Sequence, residues 1–330
     1  MKILVCGGAG YIGSHVVRAL LDKQYEVVVL DNLSTGHLEA VPKSVALESG
    51  DIRDTRFLAD VFKSRDIGCV MHFCANSLVG ESMEKPLMYY DNNVYGTLCL
   101  LKAMVEYDVK KFVFSSTAAV YGEPEELPIT EKTAKKPTNT YGETKLAVEK
   151  MLPWMEKAHG VKHMIFRYFN ASGAHPSGEI GEDHNPESHL IPLVLKTAQG
   201  VREKIAVFGE DYDTPDGSCI RDYIHVMDIA SAHILGMEKL IAGGESDVFN
   251  LGNGNGFSVK EVIEHAKGIT KKRILVEMAD RRSGDPGVLV ASSQKAQSQL
   301  GWAPKNSELD YIIKTAWDWH QAHPQGYEEK

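Results

Sequence analysis

Ile3-Leu4-Val5-Cys6-Gly7-Gly8-Ala9-Gly10-Tyr11-Ile12-Gly13 reads as a short apolar strand running into a glycine-rich turn. Beyond it Ile12, Val16, Val17, Leu20 and Leu21 keep helical period, so the order is strand, turn, helix. Gly7, Gly10 and Gly13 are spaced Gly-x-x-Gly-x-x-Gly, and from Gly8 the same residues satisfy Gly-x-Gly-x-x-Gly. The missing side chains let backbone N–H groups approach a pyrophosphate at the helix N-terminus, and Gly13 lets helix and strand pack closely. The next strand, 27–30, ends at Asp31-Asn32. An acidic residue there accepts hydrogen bonds from the ribose hydroxyls of NAD and repels the 2′-phosphate of NADP, which favours NAD.

Strand signals recur at 44–48, 69–73, 111–115 and 163–169, separated by helical patterns at 57–63, 86–106 and 141–158. Alternation of this kind predicts an α/β fold, a doubly wound parallel sheet (Rossmann). Ligands bind outside the carboxyl ends of such strands, which places Gly50-Asp51-Ile52 and Phe73-Cys74-Ala75 beside the adenine side of the cofactor. Residues 1–170 are expected to bind the cofactor. Residues 171–330 are expected to form a smaller mixed α/β substrate domain, interleaved with the first because no repeat or flexible linker separates them.

Tyr141-Gly142-Glu143-Thr144-Lys145 puts a tyrosine and a lysine four apart on one helix face. A free Tyr titrates near ~10, and an ammonium about 4 Å from the phenolate at an effective dielectric of about 20 favours the anion by ~4 kcal/mol, roughly 3 pKa units. Tyr141 is therefore expected to exchange protons near neutrality. Tyr107 and Lys111 share the spacing, but there the helical pattern breaks at Asp108. Tyr141 and Lys145 instead open a periodic segment through Leu146, Val148, Met151 and Leu152, preceded by the capping residues Thr138, Asn139 and Thr140. The strand at 111–115 continues as Ser115-Ser116-Thr117, and in a parallel sheet that end lies beside the helix opening at Tyr141. The Thr117 hydroxyl should meet the Tyr141 hydroxyl over one substrate atom.

Composition narrows the partners. The 330 residues are 43 % hydrophobic and 25 % charged, as expected of an ordinary globular protein long enough for a full core. A net charge of -9 without a long basic run argues against nucleic acid and anionic membrane, leaving small molecules. No stretch approaches the length of a membrane-spanning helix and the N-terminus enters a strand directly, so a cytoplasmic location is expected. Five cysteines without a Cys-x-x-Cys spacing read as reduced packing residues. The 13 histidines show no spacing such as His-Glu-x-x-His, so no metal site is expected.

Glycine turn, Asp31, strand-end hydroxyl and Tyr/Lys pair follow one another in the order that resembles the extended short-chain dehydrogenase/reductases. Within that superfamily the chain is similar, along nearly its whole length, to the 4-epimerases of UDP-glucose and UDP-galactose. The likeness is carried by Gly8-Ala9-Gly10-Tyr11-Ile12-Gly13-Ser14-His15, Asp31-Asn32-Leu33-Ser34, Val79-Gly80-Glu81-Ser82, Tyr89-Tyr90-Asp91-Asn92-Asn93, Arg167-Tyr168-Phe169-Asn170 and Arg221-Asp222-Tyr223-Ile224-His225-Val226. The resemblance implies that Tyr141 removes the proton of the sugar 4-hydroxyl as C4 passes its hydride to NAD. Lys145 would lower the tyrosine pKa and bind the nicotinamide ribose, and Thr117 would hydrogen-bond the 4-oxygen. NAD would be regenerated each turnover and stay bound, with further contacts from Tyr11, Ile12, Asn32, Asn92, Ser115 and Tyr168.

By the same resemblance Asn170, Leu190 and Phe208 contact the diphosphate or uracil, Arg221 and Arg282 hold the pyrophosphate, and Asp285 holds the ribose. Leu289, four residues on, would lie against the sugar. Helices at 92–106 and after Lys145 imply a homodimer. The chain departs from the family pattern at His189, where many relatives have a nucleotide-contacting Asn, at Ser77, where some have Lys, and at Pro153 inside a helix. A related UDP-N-acetylglucosamine 4-epimerase and a dehydratase are the alternatives. A 4,6-dehydratase needs an acidic pair just after the strand-five hydroxyl, and here those positions are Ala118 and Ala119. A reductase with net hydride transfer lacks need of the uridine-site residues, and an NAD-sensing regulator would need neither Tyr141 nor Lys145.

Overall fold

A computed structural model of the chain describes residues 1–282 and 286–327. Seven parallel strands form the central sheet, in the order Asp247–Leu251, Lys162–Tyr168, Lys111–Thr117, Ile67–His72, Lys2–Cys6, Val27–Asp31, Ala46–Ser49. Strand order, not strand direction, reverses between Lys2–Cys6 and Ile67–His72, and a doubly wound sheet opens its ligand crevice at that point.

Alternate residues of each strand serve opposite faces, and both faces are covered. Ile3 and Val5 pack with Val16, Val17 and Leu20 of the helix Tyr11–Asp22 and with Ile229, Ile234 and Met237 of the helix Val226–Ile241. Leu4 and Cys6 face the other way, onto Leu58 and Val61, Leu100 and Met104, Val148 and Leu152. The first half therefore borrows a helix, and its outermost strand, from the second.

Pro86 to Glu106 is a chain of helical segments, with a π-helical stretch over Tyr90–Tyr95 between Pro86–Tyr89 and Gly96–Glu106. The helix that carries Tyr141 and Lys145 spans Thr140–His159, runs through Pro153, and starts at Asn139, whose Oδ1 accepts from Gly142 N at 2.8 Å. The second half has its own core, in which Ile191, Val194 and Leu195 meet Ile205, Val207, Val262, Ile263, Ile312 and Trp317. Its short strands include Ile205–Phe208 and Val288–Leu289.

Candidate functional site

Where the strand order reverses, the carboxyl ends of the strands enclose a crevice lined by Gly7, Gly10, Asp31, Asn32, Ile52, Phe73, Cys74 and Asn92. Gly7 has φ +79°, and a Cβ on it would lie 2.5 Å from Cys74 N. A Cβ on Gly13 would lie 2.0 Å from Gly7 O, so turn and helix touch backbone to backbone. Asp31 is buried, with Oδ2 accepting from Ala9 N and Oδ1 from Leu33 N, both at 2.9 Å. Each oxygen keeps a further lone pair for a ribose hydroxyl. Turn, acid and depth together fit the nucleotide half of NAD.

Not every expected cofactor residue lies in that lining. Tyr11 sends its hydroxyl to Gly173 O at 2.6 Å, toward the second half, and Ile12 packs against the core. Asp51 is gripped by Arg53 at 2.9 and 2.6 Å and by Asn32 at 3.1 Å, and that pairing holds its carboxyl well below the usual range. The π-helical turn points Asn92 at the crevice while Asn93, next to it, donates to Thr144 Oγ1 at 3.0 Å in the Tyr141 helix. Ser77 is exposed and the crevice lining does not include it.

Thr117, Tyr141 and Lys145 converge at the end of the fifth strand. A Cβ on Gly142 would meet Ala119 O at 2.6 Å, so only a glycine lets the helix start press on the turn after Thr117. That contact sets the Thr117 hydroxyl beside the Tyr141 phenol, where it favours the phenolate. Lys145 is 3 % exposed; its Nζ donates to Ser115 O at 2.8 Å and lies 6.0 Å from the Tyr141 ring centre. Ser115 Oγ and the Tyr168 hydroxyl form a short hydrogen bond beside it.

The expected drop in the Tyr141 pKa is reversed here. Burial pushes the phenol up to about 12, opposed only by the Thr117 hydrogen bond. Burial also brings Lys145 down to about 8. Lys145 directs its ammonium at the Ser115 carbonyl rather than the phenolic oxygen, so desolvation of the phenolate outweighs the attraction assumed from spacing.

Sequence reasoning gave Arg167 only as part of a motif, and missed Glu149. The two form a buried, two-point ion pair at 2.9 and 2.6 Å, with Ser116 Oγ donating to Glu149 at 2.6 Å. Glu149 lies one turn beyond Lys145, so this pair fixes the height and rotation of the helix on the sheet. The spacing of Lys145 and Glu149 was the available signal, but nothing local tells an acid on a helix that its partner is a strand arginine.

A second cavity, about 290 Å³, lies between the helix Leu190–Ala198 and the strands Ile205–Phe208 and Ile220–Arg221. Asn170, Leu190, Phe208, Arg221 and Arg282 all line it, and so does His189. The Arg282 guanidinium stacks 4.0 Å over the Phe208 ring, which leaves its edge donors to an oxyanion. Arg202 lines the same cavity and was missed, because an exposed loop arginine carries no sequence signal of its own. Asp285 lies outside the described residues. Leu289 is half-buried and packs against the cluster of Val120, Tyr121, Ile129 and Leu146, beside the Tyr141 helix.

The chain thus combines a cationic, partly apolar cavity, a Tyr/Lys/Thr corner and a dinucleotide crevice. Residues 4–315 match the family model described as GDP-mannose 4,6 dehydratase. A UDP-glucose 4-epimerase of Halalkalibacterium halodurans is 59 % identical over 327 residues, 99 % of this chain and 98 % of that one. This chain belongs to the UDP-glucose 4-epimerase family. A solved UDP-glucose 4-epimerase aligns over all of both chains at 60 % identity with a TM-score of 0.98. The Bifidobacterium longum 4-epimerase, solved in complex with NAD+ and UDP, is 40 % identical over 99 % of this chain and 100 % of its own, with a TM-score of 0.93. Both alignments span nearly the whole of this architecture.

Proposed function

We infer that this isomerase interconverts UDP-galactose and UDP-glucose through a transient 4-keto sugar, with NAD as a resident cofactor. The observation that carries the reading is that one chain combines two unlike cavities, a crevice at the strand ends that fits a dinucleotide and a cavity lined by Arg202, Arg221 and Arg282, with the Tyr141/Lys145 pair on the helix Thr140–His159. Bound NAD supplies the two-electron acceptor and donor, and its oxidised ring carries a positive charge. Tyr141 takes the proton of the sugar 4-hydroxyl and later returns it. Thr117, whose hydroxyl lies beside the phenol, would hydrogen-bond the same oxygen. Lys145 adds positive charge beside the phenol and presents donors to the nicotinamide ribose, with Ser115 and Tyr168 closing that wall.

Arg221 and Arg282 take the diphosphate, Asn170 and Leu190 the uridine, and Asp285 the uridine ribose. A nucleotide held only at this distal end leaves the sugar free to turn and present its other face, which inversion at C4 requires. Elimination of water has no acid to assist it, because Ala118 and Ala119 follow Thr117. Free cysteines and the absence, among the described residues, of any helix fit to cross a membrane suit a cytoplasmic enzyme.

A homodimer is supported by the exposed apolar side chains Met83, Leu87, Tyr95 and Trp154 on and beside the helices at 92–106 and 140–159. Trp154→Glu should shift the protein toward monomer in sedimentation analysis, and an unchanged mass would place the contact elsewhere. The function itself is tested by releasing cofactor from purified protein and assaying UDP-galactose conversion with no NAD added. We expect stoichiometric NAD and full conversion. Activity that tracks added NAD, with NADH accumulating alongside product, would identify a net dehydrogenase instead.

A further inference from the structure

Between the glycine turn and the nucleotide cavity, residues 182–189 fold so that Glu182, His184, Glu187 and His189 turn toward one another. One nitrogen or oxygen from each lies within 4.8 Å of all the others. His184 Nδ1 is 3.2 Å from Glu182 Oε1 and 3.8 Å from Glu187 Oε2. His189 Nδ1 is 2.9 Å from Glu182 Oε1 and 3.0 Å from Glu187 Oε1. A tetrahedral ion with ligands at about 2.0–2.2 Å sets neighbouring ligand atoms roughly 3.3–3.6 Å apart, and these separations straddle that range.

Hydrogen bonding alone does not use up the cluster. Each Nδ1 carries at most one hydrogen yet faces two carboxylates, so the approaches cannot all be hydrogen bonds at once. Glu187 Oε1 is already taken by the backbone N–H groups of Ser188 and His189, at 2.7 and 2.8 Å. Its other oxygen faces inward: the Glu187 side chain is 3 % exposed, and both Oε2 and His184 Nδ1 are buried without a hydrogen-bond partner. A carboxylate oxygen in that position is unfavourable unless a cation meets it, and the His184 ring, 3.8 Å away, is beyond hydrogen-bond reach.

We propose that Glu182, His184, Glu187 and His189 form a site for one divalent transition-metal ion, for which zinc is the best fit. Two imidazoles and two carboxylates neutralise a doubly charged ion, and the mixed nitrogen and oxygen set suits zinc rather than calcium or magnesium, which prefer oxygen alone. With four protein ligands the ion has no open position, so its role is structural. The order Glu-x-His-x-x-Glu-x-His is not a spacing the sequence reading recognised, which is why no metal was expected.

The location gives the ion something to hold. The Tyr11 ring of the glycine turn meets the His184 ring edge-on at 6.2 Å, and His189 lines the nucleotide cavity just before the helix Leu190–Ala198. Asp183, between two ligands, accepts from Tyr327 N at 2.9 Å. An ion here ties the cofactor turn to the entrance of the nucleotide cavity.

The test is metal content and spectroscopy on the full-length protein, purified without a metal-affinity step. Elemental analysis should find about one zinc per chain. After chelation, added Co2+ should give the intense visible bands of a tetrahedral site, with no sulfur charge-transfer band, and Zn2+ should abolish them. Glu187→Gln and His184→Ala should each weaken the metal by about 100-fold or more, since even loss of a residue that only supports a ligand costs 10- to 100-fold. A hydrated-ion cobalt spectrum from the wild type, a sulfur charge-transfer band, or undiminished affinity in a folded variant would each overturn the proposal. The wild-type spectrum decides the matter even if both variants fail to fold.

Discussion

Burial moves Tyr141 and Lys145 in opposite directions, the phenol up to about 12 and the ammonium down to about 8. Without further positive charge the lysine loses its proton before the tyrosine does, so the phenolate–ammonium pair does not form by itself. Base strength at Tyr141 thus depends on the cofactor being in place, which restrains proton removal in protein that lacks NAD. Tyr141→Phe should lower kcat by about 10²- to 10⁴-fold, the usual worth of a positioned proton acceptor, while the Kd for UDP measured by calorimetry stays put. Turnover near wild type would remove Tyr141 from the mechanism. Lys145→Met should lose activity too and retain less NAD through purification. At Leu289, which packs beside the Tyr141 helix, steric exclusion is the sole discriminator available, and apolar pockets separate close substrates by about 10- to 200-fold. Leu289→Cys should improve conversion of UDP-N-acetylgalactosamine relative to UDP-galactose and Leu289→Tyr should suppress it. An unchanged ratio of kcat/KM values would make this leucine a packing residue.

Among the elements, the turn between Lys2–Cys6 and Tyr11–Asp22 has the least tolerance. Gly13→Ala would drive a methyl to 2.0 Å from Gly7 O, and backbone must move to admit it. We expect the variant to lose bound NAD, read as absorbance of released cofactor, with about 2 kcal/mol or more of destabilisation. Retained NAD and an unshifted denaturation midpoint would show that helix and turn are looser than they look. This turn was legible because its constraint is local: glycines are needed where backbones touch. So were the strand and helix order and the Tyr141–Lys145 face, since periods of two and of 3.6 are written in neighbouring residues. The strand Asp247–Leu251 was not, because its partner Lys162–Tyr168 lies far away in the chain. Nor was the reversal at Tyr141, since spacing gives proximity without direction, and the Ser115 carbonyl that captures Lys145 belongs to another element.

Across the molecule, His15, His225, His233 and His320 are buried neutral, with pKa values lowered to about 3, 4, 4 and 4, burial being the main cause in each. The unfolded chain binds protons near pH 6.5, so between that value and about 4 it holds more of them than the folded one. Stability from these groups is complete above pH 6.5 and declines as pH falls. His233 lies 4.9 Å from the Phe73 ring and 4.6 Å from that of Phe166, beneath the cofactor crevice, and alone accounts for about 3 kcal/mol of this acid sensitivity. Thermal midpoints should drop steadily from pH 7 to 4.5 and less steeply in His233→Phe, whereas parallel curves would mean that His233 keeps its proton when folded.

The outermost strand of the sheet, Asp247–Leu251, bears on how the protein is made. A ribosome delivers the chain from its amino end, so every residue of the cofactor crevice emerges while Lys162–Tyr168 still lacks its neighbour. A product stopped near residue 170 presents Met164, Ile165 and Phe166 on an open edge, and such an edge pairs with the same edge of another copy. Incomplete translation therefore yields a sticky fragment rather than a free-standing dinucleotide binder, and only a polypeptide that extends past Leu251 can close the sheet.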